Sequence, residues 1–284
     1  MESNAIEIRS LCKHYKGFSL DDLNLDLPYG CVLGLVGENG AGKSTTIRLI
    51  MDTLERDGGT VSVLGTDNRS KEFLDLKEDI GVVLDETFVP EVINAKQLGK
   101  IMAGTYQNWD QSVYDGWIRR FDLPPDKKFK DYSRGMTMKL GIAAALSHRP
   151  RLLLLDEATG GLDPMVREEL LEVFADFAAE EGHAVLLSSH IVSDLERICD
   201  YIAFLHKGRL VLCEEKDLLL DKYGILKCSR EQLANIPGEA IHGRRVGTYG
   251  VEALVEREFM PRDAVVDRAN LEDIILYMVK GEQK

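Results

Sequence analysis

The sequence predicts an α/β fold built on a doubly wound sheet, with an antiparallel β subdomain, an inserted helical subdomain and a small C-terminal α+β extension. Three observations predict it. Short aliphatic runs recur with helical patterns between them, which is the alternation of a parallel sheet covered by helices. Between about 86 and 150 the strand-like runs vanish and helical ones dominate. After about 222 the strand-like runs weaken, and the chain closes on an amphipathic helical stretch, "NLEDIILYMVKGE".

Taken in order, "AIEIRSL" and "LNLDL" alternate apolar and polar residues and read as an antiparallel sheet beside the core. "CVLGLV" (31–36) reads as a buried strand; glycines follow, then a helix from about Lys43. "IGVVL" (80–84), "RLLLLD" (151–156) and "HAVLLSS" (183–189) are continuous apolar runs of the kind found in interior parallel strands. A helical pattern over 164–181 carries Pro164 in its first turn, where proline is tolerated. "NAKQLGKIMAGTY", "DQSVYDGWIRRFD" and "MTMKLGIAAALS" make up the inserted helical subdomain, about 87–150. In "DYSRGMTMKL" (131–140), Ser133 stands where a helix N-cap belongs. The expected organisation is a main domain over 1–222 and an extension over 223–284 that serves dimerisation or regulation.

Composition narrows the function. The chain has 284 residues and a net charge of -13, the wrong sign for a nucleic-acid footprint or for direct adhesion to anionic lipid. Its five cysteines are scattered and form no Cys-x-x-Cys pair, which suits a reducing compartment. The N-terminus lacks the apolar core of a secretion signal, and no run approaches 18 apolar residues. A membrane role would therefore come through a partner.

"GENGAGKS" (37–44) matches G-x-x-x-x-G-K-[ST] between a predicted strand and a predicted helix. Glycines there let backbone N–H groups curl around a phosphate, and the helix N-terminus adds positive potential. Lys43 is a mobile charge for β- and γ-phosphate oxygens, and Ser44 offers a hydroxyl to Mg²⁺. "LLLLDE" places Asp156, a carboxylate suited to Mg²⁺, at a strand end, with Glu157 next to it as general base or water-orienting group. His190 follows another strand end in "LLSSHIVSD", where open α/β sheets bind ligands. Tyr15 is an aromatic that either stacks on a base or packs locally. No [NT]-K-x-D guanine-reading pattern occurs, which favours ATP over GTP.

The ordered set Tyr15, "GENGAGKS", "YSRGM", "LLLLDE", "GGLD" and "SSH" resembles the nucleotide-binding subunit of an ATP-binding-cassette transporter, a P-loop NTPase with a RecA-like sheet. The separations match as well: 90 residues from Lys43 to Ser133, 23 from Ser133 to Asp156 and 34 from Asp156 to His190. The resemblance covers roughly residues 5–222. It implies that Tyr15 stacks on adenine and that Gly37, Asn39, Gly40, Ala41, Gly42, Lys43, Ser44 and Thr45 wrap the phosphates. It implies that Asp156 helps place Mg²⁺, Glu157 activates water and His190 contacts the γ-phosphate. "GGLD", with Asp163, would cross to a second subunit. "SRGM" stands at the family's Ser-Gly-Gly-Gln signature, so Ser133 and the Gly135 backbone would bind the ATP held by a partner copy, head to tail.

Two departures stand out. Arg134 and Met136 replace glycine and glutamine in the signature. Asp85, in "GVVLDE", stands where the family has a glutamine that touches Mg²⁺ or its water. Asp85 either holds Mg²⁺ through its carboxylate or is an exposed loop residue.

The resemblance implies an ATPase that uses ATP and Mg²⁺. It would work as a dimer with an ABC-2-type transmembrane permease, peripheral to the cytoplasmic face of the plasma membrane, with no nucleic-acid partner. The transported peptide would contact mainly the permease, whose cytoplasmic helix would dock beside "DETFVPEVINAKQL". Phe88 and Val89 either contact it or pack locally. The branch resembled includes exporters of antimicrobial peptides and phenol-soluble modulins. The alternative is a soluble ATPase of the same fold acting on translation or DNA, although such proteins usually carry two cassettes, long coiled coils or basic arms.

Overall fold

The computed structural model describes residues 4–85, 89–247, 250–261 and 264–280. In order, the elements are β1 (Asn4–Tyr15), β2 (Phe18–Pro28), β3 (Val32–Val36), α1 (Lys43–Ile50), β4 (Gly58–Val63), β5 (Thr66–Asp67), α2 (Phe73–Leu76) and β6 (Ile80–Val83). There follow α3 (Ala95–Ala103), α4 (Gln111–Arg120), α5 (Arg134–Leu146), β7 (Leu152–Asp156), α6 (Pro164–Ala179), β8 (Ala184–Ser189), α7 (Val192–Ile198), β9 (Tyr201–His206) and β10 (Arg209–Glu215). The chain ends with α8 (Lys216–Lys222), β11 (Tyr223–Cys228), α9 (Arg230–Ala234), β12 (Ile241–Val246), β13 (Val251–Glu256), β14 (Val266–Arg268) and α10 (Leu271–Lys280). It divides into two compact units, Met1–Leu212 and Cys213–Lys284. The division falls inside β10 rather than at the expected 222/223, and α8 packs against β11 within the second unit.

In the first unit, aliphatic runs become strands buried on both faces. The six-stranded sheet runs β10-β9-β3-β8-β7-β6, and the β9–β3, β3–β8, β8–β7 and β7–β6 pairs are parallel. Every residue of β3, β7 and β8 is buried, as helices on both faces of a parallel sheet require. Beside it lies an antiparallel sheet, β2-β1-β4-β5. One hydrophobic core joins the two sheets and includes Ile6, Leu25, Leu33, Leu35, Ile47, Leu154 and Leu186.

The helical segment is defined by its caps. Asn94 and Gln97 form a reciprocal capping box at α3, and Asp110 accepts from the N–H groups of Ser112 and Val113 at α4. Ser133 caps α5 by accepting from Met136 N, as its position in the sequence predicts. Helix α5 packs back on β6, which ties the helices to the sheet. In the second unit, a separate sheet of order β12-β13-β11-β14 carries α10 on β12 and β13. The buried face of α10 presents Leu271, Ile274 and Tyr277, the amphipathic pattern visible in the sequence.

His148, just after α5, is 1% exposed. Its ring stacks on Tyr106 at 4.0 Å, and its Nδ1 lies 2.8 Å from the Glu78 carbonyl oxygen. Burial pushes this imidazole below its ordinary pKa, outweighing the pull of Glu78 and Asp79. Above the unfolded value, about 6.5, both folded and unfolded chains carry it neutral. As pH falls below that, the unfolded chain takes up a proton that the folded chain resists, and stability is lost. We expect the urea midpoint to drop between pH 7 and pH 5, and to drop less in the His148→Phe variant; equal drops would remove His148 as a source of acid sensitivity.

Candidate active site

The loop between β3 and α1 forms a cradle. A Cβ on Gly37 would lie 2.4 Å from the Leu205 carbonyl oxygen, so only glycine lets the loop pass this close to β9. Gly42, at the N-cap of α1, takes a left-handed φ of 115°, and no side chain caps this helix. Its first N–H groups have no side-chain partner and lie where the helix dipole favours an anion. Ala41 is buried, Asn39, Gly40 and Ser44 are exposed, and Thr45 is half-buried. Lys43 is only 5% exposed. Its ammonium curls back to donate to the Gly37 carbonyl at 2.7 Å.

Three strand ends deliver the remaining groups. Parallel register sets Asp156 of β7 opposite Ser188 of β8, and Val36 of β3 opposite Ser189. The Ser188 hydroxyl donates to Asp156 Oδ1 at 2.6 Å and accepts from Glu157 N at 3.1 Å. Glu157 takes a left-handed φ of 52°, uncommon for a residue with a side chain and typical of functional sites. Its carboxylate bridges two groups: Oε1 lies 3.0 Å from Lys43 Nζ, and Oε2 lies 2.6 Å from His190 Nδ1. An ionised carboxylate can only accept, so Nδ1 carries the proton in this contact. The structure thus brings Lys43, Glu157 and His190 into one chain of contacts, with Asp156 adjacent.

Other candidates stand apart. Tyr15 is 46% exposed, and its ring lies 6.3 Å from that of Phe18, which itself packs where a Cβ on Gly42 would go. Asp163 caps α6 by accepting from Val166 N at 3.1 Å. Gly135 faces Val166 and Leu162. Among the described residues, no hydrogen bond or ion pair joins Ser133 or Gly135 to the cradle. Asp85, just past β6, accepts from Arg134 Nη2 at 2.8 Å. Phe88 lies outside the described residues.

The donor set suits magnesium. Among the described residues, no three His, Cys, Asp or Glu side chains gather as a metal centre. Asp156 offers a buried carboxylate that Ser188 holds through one oxygen, and Ser44 offers an exposed hydroxyl. Mg²⁺ commonly binds one or two protein groups together with substrate phosphates and water, rather than a full protein cage.

The family description "ABC transporter" matches residues 20–160. The uncharacterized ABC transporter ATP-binding protein YhcH of Bacillus subtilis (strain 168) is 32% identical over 286 residues, 97% of this chain and 91% of that protein. This chain belongs to the ABC transporter ATP-binding proteins. The lantibiotic transport ATP-binding protein SrtF of Streptococcus pyogenes is 34% identical over 215 residues, 75% of this ABC ATPase and 91% of SrtF. A solved ATP-binding subunit of an ABC transporter superposes with a TM-score of 0.68 at 27% identity, covering 75% of this chain and 90% of that one.

Ser188 lies outside the residues expected from the sequence, and so does the pairing of Arg134 with Asp85. Ser188 was signalled by the serine pair that ends an otherwise aliphatic strand. Its partner follows only once β8 is placed beside β7. Arg134 sits inside a motif already singled out, but its partner Asp85 is 49 residues away in sequence.

We expect Lys43→Ala in this ABC ATPase to weaken ATP binding by about tenfold or more, read by nucleotide titration, since one charge-assisted contact is lost. Ser188→Ala should leave ATP affinity near wild type and lower kcat, because it frees Asp156 Oδ1 while the Glu157 N–H keeps its bond to the Ser188 carbonyl; an unchanged kcat would show that Asp156 does not depend on that hydroxyl.

Proposed function

We propose that this ABC ATPase drives an exporter of amphipathic or antimicrobial peptides such as phenol-soluble modulins. In this reading it works as a head-to-tail dimer coupled to an ABC-2-type permease at the cytoplasmic face of the plasma membrane. The observation that carries the reading is the separation of two phosphate-binding elements. One, the cradle, is complete with Lys43, Glu157 and His190. The other, the α5 N-terminus with Ser133 and Gly135, has no described hydrogen bond or ion pair to that cradle. A second copy turned head to tail gives the spare helix end its phosphate. Similarity to a lantibiotic transport protein supports a peptide cargo.

Each residue then has a chemical task. Lys43 and the α1 N–H groups neutralise the phosphate oxygens of ATP. Glu157 orients water toward the γ-phosphate, and His190, held by Glu157, places an imidazole at the same strand end. Ser44 and Asp156 would hold Mg²⁺, whose charge would offset that of the phosphates. Tyr15 would cover adenine. Ser133, with the Gly135 N–H, would reach the terminal phosphate of the partner copy.

No helix among the described residues is long and apolar enough to cross a membrane, so in this reading the permease lines the route. A cavity of about 230 Å³ beside β6 and α5, lined by Val83, Val89, Leu98, Met102 and Tyr106, suits an apolar helix of that permease.

The test is Glu157→Gln. This variant should turn over at least about a hundredfold more slowly while still binding ATP, and should run as a dimer at millimolar ATP in size exclusion. A variant that remains monomeric there would defeat the head-to-tail arrangement.

A further inference from the structure

Arg134 lies between three segments of the first unit. It is the first residue of α5, directly after the Ser133 cap. Its Nη2 donates to Asp85 Oδ1 at 2.8 Å, at the end of β6. Its guanidinium also covers the turn that carries Glu157. A Cβ built on Gly161 would meet Arg134 Cζ, Nη1 and Nε at 3.3, 3.3 and 3.4 Å. Three atoms of one planar group at nearly equal distance mean that the plane lies face-on to Gly161. A Cβ on Gly160 would lie 3.6 Å from Arg134 Nη2 and 3.7 Å from Glu157 Oε2, so the guanidinium and the Glu157 carboxylate are neighbours across that glycine.

The turn itself is constrained locally. Gly160 N donates to the Glu157 carbonyl at 3.0 Å, and Gly161 takes a left-handed φ of 68°. With two glycines in sequence, no side chain of the turn intervenes between its backbone and the guanidinium. Glycine backbone is also the most permissive, so this stretch needs an outside contact to hold one shape. The planar fork of arginine supplies both the flat contact and a directed donor for Asp85, which lysine cannot.

We infer that Arg134, anchored by Asp85, is a positioning residue for ATP hydrolysis: it braces the Gly160–Gly161 turn and so fixes the Glu157 carboxylate against Lys43 and His190. This rests on the reading of Glu157 as the water-orienting group. Asp85 and Arg134 are both half-exposed, and ion pairs of that kind contribute little to stability. The brace therefore acts through geometry. It also gives Asp85 a task other than metal binding and links the segment beyond β6 to Glu157.

The experiment is a double-mutant cycle on the full-length protein with Asp85→Ala, Arg134→Ala and the pair, measuring ATPase kcat, KM for ATP, the Mg²⁺ requirement and Tm. Each single change should lower kcat by about tenfold with KM for ATP, Mg²⁺ requirement and Tm near wild type, and the double variant should be no worse than either single. Arg134→Lys should not recover kcat, since it keeps charge without the fork, and the exchanged pair (D85R with R134D) should not either, since aspartate at 134 leaves the turn uncovered. Losses that multiply in the double variant, or an unchanged kcat, would overturn the brace. A raised Mg²⁺ requirement in Asp85→Ala alone would instead make Asp85 a metal ligand and overturn it too. If Arg134→Ala does not fold, Arg134→Lys and Asp85→Asn complete the cycle. Glu157→Gln run alongside separates the two readings: normal turnover in that variant refutes the role of Glu157 itself, whereas slow turnover with additive losses at 85 and 134 refutes only the brace.

Discussion

The parallel register of β3, β8 and β7 is the constraint on which the site depends. Val36 stands opposite Ser189, and Asp156 opposite Ser188, so three chain segments end together on one edge of the sheet. Everything chemical leaves from those ends: the cradle after β3, Glu157 after β7 and His190 after β8. A slip of one residue in any pair would turn Asp156 or Ser188 to the opposite face of the sheet and break their hydrogen bond. The buried aliphatic residues of these strands oppose such a slip, since it would move a well-packed layer at both faces.

On that edge, Glu157 is held from several sides. Its backbone is in an uncommon left-handed conformation and donates to β8. Its carboxylate lies between the Lys43 ammonium and the His190 ring. In the proposed reading this carboxylate orients water and Lys43 meets the phosphate oxygens. Glu157 thus joins an uncommon backbone conformation and two charged contacts at one position. Within α7, burial raises the pKa of the Asp194 carboxyl, with Arg167 Nε 3.9 Å away.

The helical subdomain holds a capped helix N-terminus that makes no hydrogen bond or ion pair with the cradle among the described residues. Ser133 spends its hydroxyl on the Met136 N–H, and the helix packs on α3, α4 and β6 rather than on the cradle. Arg134 then ties this helix end to the end of β6 and to the Gly160–Gly161 turn. Local capping thus builds the element, and one long side chain relates it to the site.

Much of this was legible in the residues alone. Continuous apolar runs marked the buried strands, glycines with Lys43 marked the cradle, Ser133 marked a helix start, and Asp156 and Glu157 marked a strand end. Each of these signals is local, arising from side-chain periodicity, caps and backbone freedom within a few residues. What only tertiary structure decided is which distant groups meet: Glu157 with Lys43 and His190, Ser188 with Asp156, and Asp85 with Arg134. It also decided that α8 belongs to the second unit. Those pairings follow from strand order, register and helix packing. Such long-range terms depend on how the whole core closes, and no short window of sequence contains them.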